Sequence, residues 1–128
     1  MSAHPIVHVD LPAQDPAAAA NFYKEALGWQ LTHEPNFDYW MFSAPGGPGG
    51  GFVAAGPDAS GGPVQYEICK VLVYLGSEDI DADLARVEEC GGRTILPRTA
   101  IGEVGWFAVF ADPSGNHLGF FQSATPGE

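Results

Sequence analysis

The chain alternates short apolar runs with two longer segments in which apolar residues recur at helical spacing. The predicted strands are, in chain order, 6–11, 29–33, 39–43, 51–55, 67–75, 94–96, 105–111 and 117–122. The predicted helices are 16–27 and 80–90. The pattern therefore predicts a β-α-β-β-β order that occurs twice, which is an α+β arrangement.

Each predicted helix is bounded by the same two kinds of residue. Asp15 precedes the first helix and Gly28 follows it, while Asp79 and Gly92 bound the second. An Asp side chain at a helix start accepts free amide hydrogens of the first turn, and glycine readily takes the left-handed conformation that ends a helix. Both landmarks of the second helix lie 64 positions after those of the first. The chain is therefore interpreted as two copies of one module.

This repeat predicts the domain organisation. We expect one domain in which module one spans 5–56, a Gly- and Pro-rich linker spans 57–63 and module two spans 64–123. A repeated unit that cannot bury its own apolar face buries it against its twin, so we expect a cavity at the seam between the modules. The apolar positions of the first helix predict one buried face, formed by Ala19, Phe22, Tyr23, Ala26 and Leu27.

Composition limits the classes of partner. The chain has 128 residues, enough for one domain with a substantial core. Its 5 basic and 16 acidic side chains give a net charge of −11, which argues against binding to nucleic acids or anionic membranes. The amino end has no secretion signal and no apolar run reaches the roughly 18 residues of a membrane span, so we expect a cytoplasmic protein. Cys69 and Cys90 have no metal-ligand spacing and are expected to be buried, inert thiols.

The most specific motif lies in the closing run, 104–122. Its turn, Asp112-Pro113-Ser114-Gly115-Asn116, joins two aromatic-rich strands. Asp and Pro favour the start of a tight turn, and Gly and Asn tolerate positive φ. Together with the β-α-β-β-β repeat and the amino-terminal run that contains His8, this motif resembles the vicinal oxygen chelate superfamily. That group includes glyoxalase I, extradiol dioxygenases, fosfomycin-resistance enzymes and bleomycin-resistance proteins, and the resemblance covers nearly the whole chain.

The resemblance implies an open half-barrel with a concave inner face and helices outside, and it also implies a homodimer. It further implies four metal-ligand positions, one on the first and one on the last strand of each module. In this sequence those positions fall on His8, Gly51, Leu72 and Gly119. Only His8 has a side chain that coordinates a metal, whereas catalytic sites use three or more protein ligands. We therefore expect the fold of the family without its usual metal chemistry, and no cofactor.

Neighbouring residues on the same strand faces offer alternatives to these positions. Lys70 and Tyr74 flank Leu72, while His117 and Phe121 flank Gly119. His117 alone among these four is a plausible metal ligand, so a His8 and His117 pair remains an alternative metal site. Lys70 either meets an anionic ligand or packs its stem and extends its amine into solvent. The candidate ligand-binding residues are His8, Lys70, Leu72, Tyr74, Trp106, His117 and Phe121.

Aromatic residues on the predicted strands are divided between core and cavity. Alternation places Trp106 and Phe110 on one face of their strand and Phe107 on the other, but it leaves open which face lines the cavity. In module one, alternation likewise leaves open whether Tyr39 or Trp40 faces the cavity. Aromatic rings in a cavity favour stacking with a ligand, and carboxylates favour a cation.

Three functions follow from these observations. The first is a metal-free protein that binds a small, aromatic or cationic molecule and acts by sequestration or sensing. The second is a lyase or isomerase of the glyoxalase type with an atypical divalent-metal site centred on His8, which is also the best candidate for a general base. The third is a protein-interaction module without a small ligand.

Overall fold

The computed structural model describes residues 3–36, 39–56, 66–67 and 70–124. Its elements, in chain order, are β1 (Ile6–Ala13), α1 (Pro16–Leu27), β2 (Gln30–Glu34), β3 (Tyr39–Ser43), β4 (Gly49–Ala54), β5 (Leu72–Gly76), α2 (Ile80–Glu89), β6 (Arg93–Ile101), β7 (Gly105–Ala111) and β8 (His117–Ser123). The order is β-α-β-β-β twice, which confirms the predicted α+β class. Neither helix in these ranges is long and apolar enough to cross a membrane.

The chain divides into two compact units, residues 8–72 and residues 1–7 with 73–128. The predicted linker, 57–63, lies outside the described residues. The amino-terminal segment belongs to the second unit, where His4 Nδ1 bonds the carbonyl of Gly76 at 2.8 Å. Gly76 in turn donates its amide hydrogen to the carbonyl of Pro5 at 2.8 Å.

In the first unit the strands follow the order β2-β3-β4-β1, with β1 parallel to β4 and the other pairs antiparallel. Helix α1 begins where Asp15 accepts from the amide of Ala18 at 3.2 Å, and it ends at Gly28 in the left-handed conformation with φ 73°. Both ends agree with the sequence prediction. The core beneath the helix is built on Ala20, Phe42 and Phe52.

The predicted buried face of α1 is wrong at three positions, since Phe22, Ala26 and Leu27 are exposed. Phe22 is 59% exposed and Leu27 is 58% exposed, whereas Ala20 is 2% exposed. The helix turns this way because Tyr23 stacks on Trp29 with ring centroids 4.8 Å apart. That contact directs the side chain before Tyr23 away from the sheet, and the small Ala20 lets the helix approach the strands closely.

In the second unit the strands follow the order β5-β8-β7-β6, with β5 parallel to β8. Helix α2 begins where Asp79 accepts from the amide of Ala82 at 3.2 Å. Its apolar side chains join those of the sheet in one core cluster. The buried members of this cluster are Ile80, Leu84, Ala108, Phe110 and Phe120.

Three further predictions differ from the structure. The strand predicted over 67–75 begins only at Leu72, and ahead of it the amide of Lys70 donates to the carbonyl of Glu67 at 3.0 Å instead of to a neighbouring strand. Strand β6 runs well beyond 94–96, since register shifts on both sides of Leu96 accommodate the proline that follows it. Cys90 is exposed at the end of α2, and Cys69 lies outside the described residues.

Candidate functional site

Three polar side chains of the first unit meet on the face of its sheet that lies away from α1. Val9 and Leu11 of β1 pack against the core beneath the helix. Because successive side chains of a strand point to opposite faces, His8 and Asp10 lie on the other face. Tyr39, the first residue of β3, reaches them there.

The three side chains form a closed hydrogen-bond network. His8 Nε2 lies 2.7 Å from the Tyr39 hydroxyl oxygen and 3.0 Å from Asp10 Oδ1, and the Tyr39 hydroxyl donates to the same carboxylate oxygen. An ionised carboxylate only accepts, so the single hydroxyl hydrogen of Tyr39 goes to Asp10. The Tyr39 oxygen then accepts from the N–H at His8 Nε2. Asp10 is 5% exposed, while the His8 side chain is 30% exposed, so His8 is the outer member of the network.

A glycine makes room for the tyrosine. Gly51 lies opposite Asp10 in the parallel β1 and β4 pair. A Cβ atom at Gly51 would overlap the hydroxyl and the ring carbons of Tyr39. The phenol of Tyr39 therefore occupies the space that a side chain at position 51 would need.

Burial and the neighbouring carboxylate keep the Tyr39 phenol neutral. Loss of water around the side chain raises the pKa of Tyr39 far above its usual range, and the charge of Asp10, the hydrogen bond to it and Tyr66 raise it further. The phenol is thus a hydrogen-bond donor at neutral pH.

The ionisation of Tyr39 gives a direct test of this environment. The raised pKa means that the folded chain holds the phenol proton more tightly than the unfolded chain, so the resulting stabilisation is complete below about pH 10 and is lost as the pH rises further. We expect folded wild-type protein and the Tyr39→Phe variant to show the same phenolate absorbance in an alkaline titration. A difference of one tyrosine should appear only after unfolding, and a difference in the folded protein would contradict the assignment.

The second unit has a corresponding tyrosine and glycine. Tyr74 lies opposite Gly119 in the parallel β5 and β8 pair, and a Cβ atom at Gly119 would lie 2.5 Å from its ring. Tyr74 stands 64 positions after Asp10, so the two residues occupy equivalent places in the repeat. A tyrosine ring thus covers the glycine in each unit, although Tyr39 comes from β3 and Tyr74 from β5.

Other predicted site residues of the second unit divide between the two faces of its sheet. Phe121 lies opposite Phe107, whose ring centroid is 6.5 Å from that of Tyr74, so these aromatics share the face away from α2. Trp106 lies on the other face, packed against the α2 core with the Arg98 guanidinium 5.5 Å from its ring centre. The structure therefore does not bring Trp106 together with Tyr74 and Phe121.

The remaining predicted site residues are Leu72, His117 and Lys70. Leu72 is buried at the start of β5, and His117 is exposed at the first residue of β8. Lys70 is exposed and pairs with Glu67 at 2.9 Å. Of the other predicted residues, His8 and Phe121 are partly exposed on the sheet faces away from the helices, and Tyr74 is buried on the same face as Phe121.

The sequence prediction missed the role of Asp10 and did not assign a face to Tyr39. One signal for Asp10 was present, because the alternation of β1 places a carboxylate two residues after His8 on the same face. The contact to Tyr39 joins residues 29 positions apart and depends on strand order, which alternation alone does not determine.

The residues at the four family ligand positions do not fit a divalent metal ion. Gly51 and Gly119 have no ligand atoms in their side chains and are covered by tyrosine rings, and Leu72 is apolar. His8 Nε2 is engaged by Asp10 and Tyr39. Within the ranges that the structure describes, no three His, Cys, Asp or Glu side chains gather as a metal site would require.

The fold is shared with solved structures of low sequence identity. The methylmalonyl-CoA epimerase from Mycobacterium tuberculosis superposes with a TM-score of 0.71 at 20% identity, over 94% of this chain and 88% of that chain. A glyoxalase/bleomycin resistance protein/dioxygenase superfamily member from Vibrio splendidus 12B01 gives a TM-score of 0.64 at 16% identity, over 94% and 100% of the two chains.

Curated relatives are closer in sequence. The putative glyoxylase CFP32 of Mycobacterium tuberculosis is 31% identical over 124 residues, covering 90% of this chain and 44% of the relative. The anthracycline biosynthesis protein DnrV of Streptomyces peucetius is 34% identical over 125 residues, covering 83% and 42%. The chain thus spans less than half the length of these relatives. A family model matches residues 5–120, and the chain belongs to the Glyoxalase/Bleomycin resistance protein/Dioxygenase superfamily.

Proposed function

We propose that this protein binds a small organic molecule without a metal ion and acts by sequestration or sensing. The observation that carries the proposal is the position of Tyr39, whose phenol lies over Gly51 and is bonded to Asp10 and His8. The hydrogen-bond network of Asp10, Tyr39 and His8 takes the place at which the family's metal enzymes carry ligands. Such a network orients a ligand but supplies no Lewis acid.

The second unit supports the same proposal with a different chemistry. Tyr74, Phe107 and Phe121 present rings on the face away from α2, and the Tyr74 ring fills the space over Gly119. Aromatic rings favour a flat, apolar ligand by stacking and by burial of its surface. The relative named as an anthracycline biosynthesis protein makes an anthracycline a reasonable first probe.

Metal content separates this proposal from metal-dependent chemistry. We expect untagged protein grown with Mn, Fe, Co, Ni and Zn to contain much less than one metal ion per chain by elemental analysis, because three of the four family positions lack ligand atoms. The His8→Ala variant should have the same metal content. One metal ion per chain that is lost in His8→Ala would overturn the proposal.

Ligand binding is tested by thermal shift against aromatic compounds, including an anthracycline. A molecule that binds only the folded state at 100 times its Kd stabilises by about 2.7 kcal/mol, which is a readily measured shift. Hits should lose affinity in the His8→Ala variant or when Phe121 is replaced by alanine. A library that stabilises neither wild-type protein nor variants would argue against a binding function.

A second candidate function is a lyase or isomerase in which His8 moves a proton. The observation that favours it is the partly exposed His8 beside the buried Asp10, because a carboxylate behind a histidine is a common way to orient a general base. Turnover of a hemithioacetal or of an epimerisable thioester, lost in His8→Ala and retained in His117→Ala, would favour this candidate over simple binding.

A further inference from the structure

We propose that Asp10 and His8 form a recognition site for an aromatic hydroxyl group, and that Tyr39 is the internal occupant of that site. The inference rests on the proposed function and narrows its ligand to a phenol. In this arrangement the chain's own side chain makes the contacts that a phenolic ligand would make.

The Tyr39 oxygen both donates and accepts a hydrogen bond. This atom donates its hydrogen to Asp10 Oδ1 and accepts from His8 Nε2, which lies 2.7 Å away. A group that replaces the Tyr39 hydroxyl has to donate one hydrogen bond and accept another at the same atom. A hydroxyl does both, whereas an ammonium group has no lone pair to accept with and a carboxylate has no hydrogen to donate. The pair therefore selects a hydroxyl over a cationic amine and over an anionic acid.

The burial of Asp10 strengthens its contact with a hydroxyl donor. The carboxylate is 5% exposed, and its partners in the described chain are His8 and Tyr39, without a lysine or arginine. A buried carboxylate that loses its hydrogen-bond donor destabilises the protein, because its charge is then left unsatisfied. An acidic hydroxyl such as a phenol is the neutral donor that satisfies it best, because hydrogen bonds to ionised acceptors are the strong ones.

The space that the Tyr39 ring occupies has the shape of one aromatic ring. The ring of Tyr39 lies where a Cβ atom of Gly51 would be, so the ring rests on the backbone of Gly51. The ring planes of His8 and Tyr39 are inclined by 28°, with centroids 6.2 Å apart. Removal of the Tyr39 side chain would leave a flat slot with the Asp10 and His8 polar atoms at its end, which suits a single aromatic ring.

The experiment uses the Tyr39→Ala variant of the full chain and three probes with one aromatic ring each. We measure binding of 4-methylphenol, which reproduces the tyrosine side chain, and of toluene, which lacks only the hydroxyl. We expect 4-methylphenol to bind roughly 10-fold to 100-fold more tightly than toluene, the range for a hydrogen bond to a charged group. The preference for 4-methylphenol over toluene should disappear in the double variant that carries Tyr39→Ala and Asp10→Leu. Asp10→Leu removes the hydrogen-bond acceptor and keeps the side-chain volume. Benzylamine should bind no better than toluene.

Wild-type protein provides the occupancy test. Because Tyr39 competes for the same contacts, 4-methylphenol should bind wild-type protein at least about 10-fold more weakly than it binds Tyr39→Ala. Equal binding to both proteins, or equal binding of 4-methylphenol and toluene to Tyr39→Ala, would overturn the inference. If Tyr39→Ala is unfolded alone, its refolding by 4-methylphenol and not by toluene, followed by circular dichroism, supports the inference, and refolding by both equally contradicts it.

These outcomes are separate from those that test the proposed function. Ligands that stabilise wild-type protein but show no preference for a hydroxyl would support binding and overturn only the phenol site. A hydroxyl preference in Tyr39→Ala, with no stabilising molecule for wild-type protein, would support the recognition chemistry of Asp10 and His8 and overturn the binding function.

Discussion

The Gly119→Ala variant is expected to lose about 2–3 kcal/mol of stability, a typical cost of overpacking a well-filled site. The added Cβ atom would lie 2.5 and 2.6 Å from two ring carbons of Tyr74 and 3.2 Å from the backbone oxygen of Ala108. Tyr74 is 6% exposed, so its ring cannot swing into solvent to relieve the overlap. The free energy of unfolding from urea denaturation measures the effect.

Gly47→Ala is the matched control for this substitution. An added Cβ atom at Gly47 would meet nothing within 4 Å, and the residue does not have positive φ. Its stability should stay within about 0.5 kcal/mol of wild type, as for an ordinary surface change. If Gly119→Ala behaved like the control, Tyr74 would not occupy the space over Gly119, and the corresponding place in the repeat would be open to a ligand.

The architecture was predictable because local signals agreed along the chain. Asp15 and Gly28 marked both ends of α1 correctly, since the cap and the left-handed terminator act within one turn of the helix. The 64-residue repeat then placed the second helix and the succession of strands along its module. Boundaries failed where pairing with a neighbouring strand decided them, as in β6, which continues past Leu96 to Ile101 along β7.

The site was predictable only in part. The 64-residue repeat located the four family ligand positions at His8, Gly51, Leu72 and Gly119. The residue types at these positions show that only His8 has a side-chain ligand atom. What filled the space over the glycines was not predictable, because Tyr39 reaches Gly51 from a neighbouring strand and Tyr74 reaches Gly119 from the strand paired with it. Cross-strand filling depends on strand order and side-chain direction, neither of which appears in periodicity.

The Gly51→Ala variant is expected to lose about 2–3 kcal/mol of stability for a different reason. The atoms that the added Cβ would overlap belong to the end of the Tyr39 side chain, which is able to rotate. Rotation relieves the overlap but withdraws from the buried Asp10 carboxylate the hydroxyl that donates to it. An unsatisfied buried group costs about 1–3 kcal/mol, and residual crowding adds to it.

A double-mutant cycle isolates this coupling. In a Tyr39→Ala background the added Cβ at position 51 meets no phenol, so Gly51→Ala should then cost less than about 0.5 kcal/mol, and the coupling energy should be roughly 2 kcal/mol. Additive losses would show that Tyr39 does not rest on Gly51, and the phenol would then not exclude a side chain from that position. A large coupling means that position 51 accepts a ligand-bearing side chain only if Tyr39 leaves Asp10. The hydrogen-bond network and a metal ligand at position 51 therefore exclude one another, and this chain has the network.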